Sequence, residues 1–210
     1  GHAMADVLSG KVNPSGKLTD TFALDLKDYP AAENFPGVTL LGPDPAASGG
    51  IVINDRAAEV DYRDDIRVGY RHINTRGLDV AYPFGYGLSY TRFEYGDMKL
   101  TREDAGFTAS VIITNTGRRA GKEVVQLYVS APNNVLEKPA AELRTYAKTR
   151  LLQPGQSQTL VMRVEPRGLT SFDPDAHQWV AHPGRYTVRI GASSRDIRQQ
   201  AHFDIKDELS

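Results

Sequence analysis

The sequence has no cysteine, one tryptophan and no excess of charge of either sign. The absence of cysteine excludes disulfide bonds, thiolate nucleophiles and thiolate metal ligands. It leaves the compartment open, because many exported proteins fold without disulfides. With 25 Lys and Arg against 26 Asp and Glu, the formal net charge is −1, which argues against a nucleic-acid partner or an anionic-membrane surface. No apolar run approaches the roughly 18 to 20 residues that a membrane-spanning helix needs.

The 210 residues are 40% hydrophobic and 24% charged, which is ordinary for a globular chain that forms one large or two small domains. Residues 1–4 read as an expression scar and are excluded from the fold prediction. Before residue 91 only short elements are expected, separated by a loop region rich in proline and glycine at residues 29–50. They are one helical turn over residues 5–10, short strands over 18–24 and 60–70, and a turn over 74–79.

After Thr91 the apolar residues alternate with polar ones, which is typical of strands. The predicted strands include residues 107–114, 125–129, 143–151, 160–164, 186–190 and 197–205. Turn sequences such as Gln153-Pro-Gly155 separate them, and the glycine is free to adopt positive φ. About seven strands in roughly 110 residues predict a mainly β fold, an immunoglobulin-like or fibronectin type III-like β-sandwich. Its expected core includes Phe107, Phe172, Trp179 and Phe203.

An acidic cluster is the first candidate for chemistry, because two carboxylates about 5 to 10 Å apart can cleave a glycosidic bond. In the predicted strand over residues 60–70, Glu59, Asp61 and Asp65 share one face and Asp64 lies opposite. The alternative is a solvated strand edge paired with neighbouring arginines, and this interpretation is favoured because charge runs are weak signals.

Other motifs give no better candidate for catalysis or metal binding. Asp173-Pro-Asp175-Ala-His177 lacks the glycine and distal glutamate of a calcium loop and is better explained as a turn. Ser89 lacks the second glycine of a nucleophile elbow. The histidines at 72, 177, 182 and 202 are scattered singly, without metal-site spacing. The prediction is therefore that no residue is catalytic, cofactor-binding or metal-binding.

Two surface patterns remain open at this point. Arg185, Thr187 and Arg189 share a strand face close to Arg195 and Arg198, which indicates either a basic interaction patch or, as favoured, the outer face of a sandwich strand. Six aromatics lie in the connector after residue 80: Tyr82, Phe84, Tyr86, Tyr90, Phe93 and Tyr95. They either stack on sugar rings or pack a junction between domains. The glycines at 85 and 87 permit close backbone approach and favour the junction.

Seven motifs, in order, resemble the C-terminal third of glycoside hydrolase family 3, the β-glucosidase family. They are DVLSGKVNPSGKL (6–18), IRVGYR (66–71), YPFGYGLSYT (82–91), NTGRRAGKEVVQLYV (115–129), KPAAEL (138–143), LQPG (152–155) and GASSRDI (191–197). The resemblance covers nearly all of residues 5–205. It implies that residues 5–90 are the closing remnant of an α/β sandwich domain with its connector, and that residues 95–207 form a fibronectin type III-like domain.

The resemblance also places the catalytic residues elsewhere. In the family the nucleophilic Asp belongs to a (β/α)8 barrel and the acid/base Glu to a loop before the stretch that matches Ala5, so neither is transferred to this chain. Where the family often has Glu-Gly, this chain has Asp64-Asp65. The implied function is a non-catalytic fragment that supports the upstream barrel and sandwich domains, its partners, in a retaining exo-glycosidase for terminal β-linked glucose or xylose.

Three further expectations complete the prediction. No cofactor is expected, and oligo- or polysaccharide substrate would be met only through the parent enzyme. A free-standing carbohydrate-binding, adhesion or oligomerisation module is the alternative function. Residues 74–82 are similar to family 3 proteins of Bacteroidetes, which are commonly exported, so a periplasmic or secreted location is weakly favoured.

Overall fold

The structure is a computed structural model that describes residues 1–35, 37–39, 58–103 and 106–209. Before residue 91 it contains helices α1 (His2–Leu8) and α2 (Tyr70–Arg76) and the short strands β1 (Phe22–Ala23), β2 (Val38–Thr39), β3 (Ala58–Glu59) and β4 (Val80–Tyr82). The later strands are β5 (Phe93–Tyr95), β6 (Lys99–Glu103), β7 (Gly106–Asn115), β8 (Val124–Ser130), β9 (Glu142–Lys148), β10 (Ser157–Val164), β11 (Ser171–Asp173), β12 (Gln178–Val180), β13 (Gly184–Gly191) and β14 (Ile197–Ile205). None of these helices is long and apolar enough to cross a membrane.

Two antiparallel sheets form the predicted β-sandwich, which is confirmed. One has the order β10-β7-β5, with β6 also paired to β7, and the other has the order β14-β13-β8-β9. Their facing sides bury the alternating apolar residues, so that Phe107, Ile113, Leu127 and Val188 have no exposed surface. Burial of this apolar area is the main favourable term for the domain, at about 25 cal/mol per Å².

The predicted core placement of Phe172 and Trp179 is wrong. Both lie on the hairpin formed by β11 and β12, which pairs with neither large sheet. Their side chains are 47% and 46% exposed, and they contact each other edge to face at 5.8 Å. The core is filled instead by Tyr186, whose ring stacks on Phe203 at 5.4 Å.

The predicted strand over residues 60–70 is also wrong. Asp65 and Gly69 have positive φ values of 50° and 58°, which an extended strand does not contain, and α2 begins at Tyr70. The predicted turn over 74–79 begins inside this helix, which ends at Gly77 (φ 66°). Seven residues make too few turns for a helical pattern to stand out in the sequence.

The remaining predictions before residue 91 are only partly matched. In the predicted strand over 18–24, only Phe22 and Ala23 pair, with Tyr82 and Val80 of β4. The predicted helical turn lies in α1, which begins earlier, at His2. Of the irregular region at 29–50, position 36 and positions 40–50 lie outside the described residues, and Pro30–Glu33 forms a 3₁₀ helix.

Strand β8 is buried on both sides. Val125, Leu127 and Val129 face the core, whereas Gln126 and Tyr128 on the opposite face are only 3% and 1% exposed. Because successive side chains of a strand point to opposite faces, something must cover the outer face of this sheet. The covering segment is the chain between α2 and β5.

Candidate functional site

A junction between the first 90 residues and the sandwich is the most highly organised polar region of the described chain. Its centre is Gln126, whose Nε2 donates to the carbonyl oxygens of Gly85 (3.0 Å) and Ala192 (2.9 Å). The Tyr128 hydroxyl donates to Gln126 Oε1 at 2.6 Å. All polar atoms of this buried amide therefore have partners, as a buried polar group requires.

Gly85 permits the close approach at this centre. Its φ is 79°, and a Cβ added there would overlap Gln126 Oε1 and lie 2.7 Å from Gln126 Cδ. A Cβ on Gly87 would similarly lie 2.7 Å from Lys17 Cδ. The expectation that glycines 85 and 87 allow close backbone contact therefore holds in the geometry.

Aromatic rings pack beside the amide. Phe84 stacks on Tyr70 with centroids 4.4 Å apart, and Tyr70 meets Tyr128 edge to face at 6.2 Å. The Leu143 N–H donates to the Tyr70 hydroxyl at 2.8 Å, which ties α2 to β9. Burial raises the pKa of Tyr70 and of Tyr128, so both remain neutral donors and acceptors at ordinary pH.

The six connector aromatics do not act as one group. Phe84 belongs to the junction, and Tyr86 packs on Tyr82 at 5.2 Å. Tyr82 and Tyr90 are about half exposed, although the Tyr90 hydroxyl donates to the Val7 carbonyl at 2.8 Å. The last two, Phe93 and Tyr95, pack in or against the sandwich core rather than at the junction.

The motif at residues 6–18 forms a second anchor. Asn13 Oδ1 accepts from Ser89 Oγ (3.1 Å) and from the Tyr90 N–H (2.8 Å), while its Nδ2 donates to the Ala120 carbonyl (2.9 Å). One side chain thus joins three chain segments. Ser89, considered above as a nucleophile, has a structural role here, and sequence reasoning missed Asn13 because its partners are 76 and 107 residues away.

A nearly buried ion pair lies beside this anchor. Lys17 Nζ is 3.0 Å from Glu123 Oε1, and the two side chains are 15% and 8% exposed. The Tyr95 hydroxyl donates to the same carboxylate oxygen at 3.0 Å, and the nearby carboxylate and burial raise the pKa of this phenol. Removing one partner of such a pair leaves the other charge buried and uncompensated. The pair therefore favours the docked position of the first residues over any position that separates Lys17 from Glu123.

The acidic cluster does not form the shared carboxylate face expected of a strand. Asp61 bonds to Arg63 at 2.7 Å and is exposed, and Glu59 lies at the end of β3. Asp65 is exposed and adopts the left-handed conformation that glycine prefers. That conformation matches the glycine that the family often has at this position. Asp64 is partly buried, and its Oδ1 has no hydrogen-bond partner in the described part of the chain.

The other sequence candidates are also structural. Asp173 Oδ1 accepts from the N–H groups of Asp175 (2.9 Å) and Ala176 (3.1 Å), which confirms the predicted turn. In the part of the chain that the structure describes, no group of three or more His, Cys, Asp or Glu residues could hold a metal ion. His72 is buried in α2, and burial together with Arg76 lowers its pKa.

The basic residues of the predicted strand face separate into three environments. Arg185 pairs with Asp204 at 3.5 Å, and Arg198 pairs with Asp196 and covers the Tyr95 ring. Arg189 and Arg195 instead line one pocket at the junction. The basic residues therefore do not form a single interaction patch.

A groove of about 550 Å³ runs between residues 65–71, residues 136–139 and the β11–β12 hairpin. Its central carboxylate, Glu142, is bonded to Arg71 at 3.2 Å and to Arg144 at 2.6 Å. Lys138 is buried at the groove, and burial lowers its pKa. A carboxylate shared by two guanidinium groups acts as a structural hydrogen-bond acceptor. The other two carboxylates that line the groove are Asp65 and Glu137.

Exposed apolar side chains are concentrated before residue 91. Of the 21 large hydrophobic side chains that are exposed among the described residues, 14 lie in this part, and Leu26, Phe35 and Val38 exceed 70% exposure. In the same part only Tyr70 and Ile73 are buried hydrophobics. This uneven concentration of exposed large apolar side chains favours an interaction surface in this part of the chain.

Two family models match the chain. The model described as "Glycosyl hydrolase family 3 C-terminal domain" matches residues 1–90, and the model described as "Fibronectin type III-like domain" matches residues 123–194. The two matches lie on either side of the junction.

Similar proteins are β-glucosidases. Thermostable beta-glucosidase B of Acetivibrio thermocellus is 38% identical over 201 residues, which is 94% of this chain and 24% of that protein. Beta-glucosidase A of Butyrivibrio fibrisolvens is 42% identical over 220 residues, 94% of this chain and 24% of that protein. The solved structure of beta-glucosidase 3B from Thermotoga neapolitana has a TM-score of 0.85 and 44% identity, covering 98% of this chain and 26% of that one. This chain thus spans about a quarter of the length of these relatives.

Proposed function

We propose that this chain supports the catalytic domains of a β-glucosidase-like enzyme and is itself non-catalytic. The chain belongs to glycoside hydrolase family 3 and corresponds to the C-terminal part of its members. In this proposal residues 5–90 complete an α/β sandwich domain, and residues 95–207 are the fibronectin type III-like domain. The whole enzyme is a retaining exo-glycosidase for terminal β-linked glucose or xylose. The catalytic carboxylates belong to its upstream domains.

The observation that carries the proposal is the uneven distribution of exposed apolar surface. The 14 exposed large hydrophobics before residue 91 include Leu24, Leu26 and Phe35, whereas the junction satisfies the polar groups that face the sandwich. Among the described residues, the first 90 positions thus have one surface fixed on the sandwich and another that exposes apolar side chains. Upstream domains of the same enzyme are the partner that would bury it.

A free-standing carbohydrate-binding module is not favoured. Sugar rings stack on open aromatic faces, but Phe84 is stacked on Tyr70, and Tyr86 packs on Tyr82. The connector aromatics therefore support a packed crossing between two parts of the chain.

Hydrolysis of an aryl-β-glucoside tests the non-catalytic assignment. The chain alone should give no turnover above background, because neither catalytic carboxylate is expected within it. Turnover that disappears in Asp61→Asn or Asp65→Asn would contradict this, and a sample carrying both changes is the control for contaminating enzyme.

Association tests the apolar surface. Mixed with the separately produced upstream domains of the same enzyme, the chain should form a complex that Leu26→Asp and Phe35→Asp weaken, because a buried unpaired charge is costly. Val161→Asp is the matched control, since Val161 is 64% exposed but lies on β10 of the sandwich. Equal weakening by all three changes would contradict the proposed surface.

A further inference from the structure

A pocket of about 300 Å³ lies at the edge of the junction, next to the Gln126 centre, because Tyr128, which donates to Gln126 Oε1, also lines it. It is bounded by the end of α2, the residues just before β9, strand β13 and the turn that leads into β14. Besides Tyr128, four polar side chains line it: Asn74, Arg189, Ser194 and Arg195. Among the lining residues that the structure describes there are two guanidinium groups and no carboxylate.

Arg189 carries a charge that has no counter-ion among the described residues. Its side chain is partly buried, and burial lowers its pKa with no acidic neighbour opposing the effect. Within the described residues its hydrogen-bond acceptor is the Ser130 hydroxyl, which in turn donates to the Ala140 carbonyl. A guanidinium has five N–H donors, so most of those on Arg189 have no protein acceptor. By contrast Arg185, four residues earlier on the same strand face, has Asp204 as its partner.

Arg195 and Ser194 supply further donors. Arg195 bonds through Nε to Asn74 Oδ1 at 3.0 Å and through a terminal nitrogen to the Leu78 carbonyl, which fixes the guanidinium against the end of α2. The Ser194 hydroxyl is buried and has no hydrogen-bond partner among the described residues. Its backbone N–H donates to the Phe84 carbonyl at 2.9 Å, so the residue is held in place while its hydroxyl remains unpaired.

We propose that this pocket binds an oxyanion of phosphate or sulfate size, held by Arg189, Arg195 and the Ser194 hydroxyl. Guanidinium groups bind such anions strongly because their planar N–H forks match the oxygen geometry. The anion neutralises a charge that the fold has desolvated, and it accepts the hydrogen bond that Ser194 cannot otherwise make. Its binding joins β13 to the turn that leads into β14, which Arg195 ties to the end of α2 through Asn74, and this stabilises the junction. This anion site does not depend on the proposed role of the chain as part of a larger enzyme.

Thermal unfolding of this chain in sodium phosphate and in sodium chloride of equal ionic strength tests the proposal. Binding to the folded state alone raises the melting temperature in proportion to the logarithm of the phosphate concentration above Kd. Arg189→Gln should weaken the apparent phosphate affinity by at least about tenfold, since it removes a charged hydrogen-bond donor. Arg185→Gln is the matched control and should leave the affinity unchanged.

Ser194→Ala separates binding from general stability. This change removes a buried hydroxyl that has no partner, so the melting temperature in chloride should not fall, while the phosphate affinity should drop several-fold. Phosphate also stabilises proteins by exclusion from their surface. An equal phosphate effect in the parent chain and in the Arg189 and Ser194 variants, or no effect beyond that of chloride, would overturn the proposal. Glucose 6-phosphate, compared with glucose alone, distinguishes a phosphate ester from free phosphate as the natural source.

Discussion

Replacement of Gly85 by alanine tests the close packing at the centre of the junction. The added Cβ overlaps Gln126 Oε1, so the amide must move and lose bonds to Gly85, Ala192 or Tyr128. Positive φ costs an L-residue about 1–2 kcal/mol, and a buried polar group left unpaired costs about 1–3 kcal/mol. Together these effects predict a loss of about 2–5 kcal/mol in the free energy of unfolding.

Gly155→Ala is the matched control. Gly155 has nearly the same φ, 76° against 79°, but no heavy atom lies within 4 Å of an added Cβ. This variant should therefore lose only the backbone contribution, about 1–2 kcal/mol. For a chain of this length the difference between the two variants, about 1–3 kcal/mol, corresponds to a melting temperature about 2–12 °C lower for Gly85→Ala.

Urea unfolding of both variants in the parent and in a Gln126→Ala background completes the test. Without the Gln126 side chain the overlap disappears, so Gly85→Ala should then cost no more than Gly155→Ala does. The coupling free energy between positions 85 and 126 should be about 1–3 kcal/mol, within the range seen for residues in contact. An equal cost of Gly85→Ala in both backgrounds, or a cost no larger than that of Gly155→Ala, would refute the reasoning.

Two further predictions concern single residues before the connector. At position 65, where φ is 50°, the Asp65→Gly variant should be more stable than the Asp65→Ala variant by about 1 kcal/mol in urea unfolding. Between the Asp61→Gly and Asp61→Ala variants this order should vanish or reverse, because alanine restricts the unfolded chain more than glycine does. Since burial lowers the pKa of His72 below that of the unfolded chain, its contribution to stability is complete above about pH 6.5 and is lost as the pH falls. His72→Gln should flatten the decline in melting temperature below that pH, and the exposed His202→Gln should not; equal slopes in both variants would contradict the assignment.

The strands of the sandwich could be predicted because each one carries its own evidence. In β10, Leu160, Met162 and Val164 alternate with exposed residues, and turn sequences bound the strand. The same local evidence misplaced Trp179 and Phe172, because an apolar residue in a short strand does not reveal whether that strand joins a large sheet. Burial of a strand on both faces is decided by what packs outside it.

The junction could be predicted only in outline. The alternation of glycines and aromatics indicated close packing, but nothing near Gln126 in the sequence identifies Gly85 and Ala192 as its partners, 41 and 66 residues away. One signal was available: Gln126 interrupts an otherwise apolar strand, and a polar residue within such a run indicates a specific buried hydrogen bond. The anion pocket left no comparable pattern, since Arg189 resembles any other outward residue of β13.

The contact between Phe84 and Ser194 has a consequence for synthesis of the chain. Ribosomes add about 5 to 20 residues per second, so on the order of 5 to 20 seconds separate the emergence of Gly85 from that of Ala192. Tyr128 and Leu143, which contact Tyr70, emerge within this interval, whereas Ser194, whose N–H donates to the Phe84 carbonyl, emerges only at its end. The complete junction can therefore assemble only after residues 192–194 have been made, and chaperones that shield apolar segments can act on residues 70–90 during that delay.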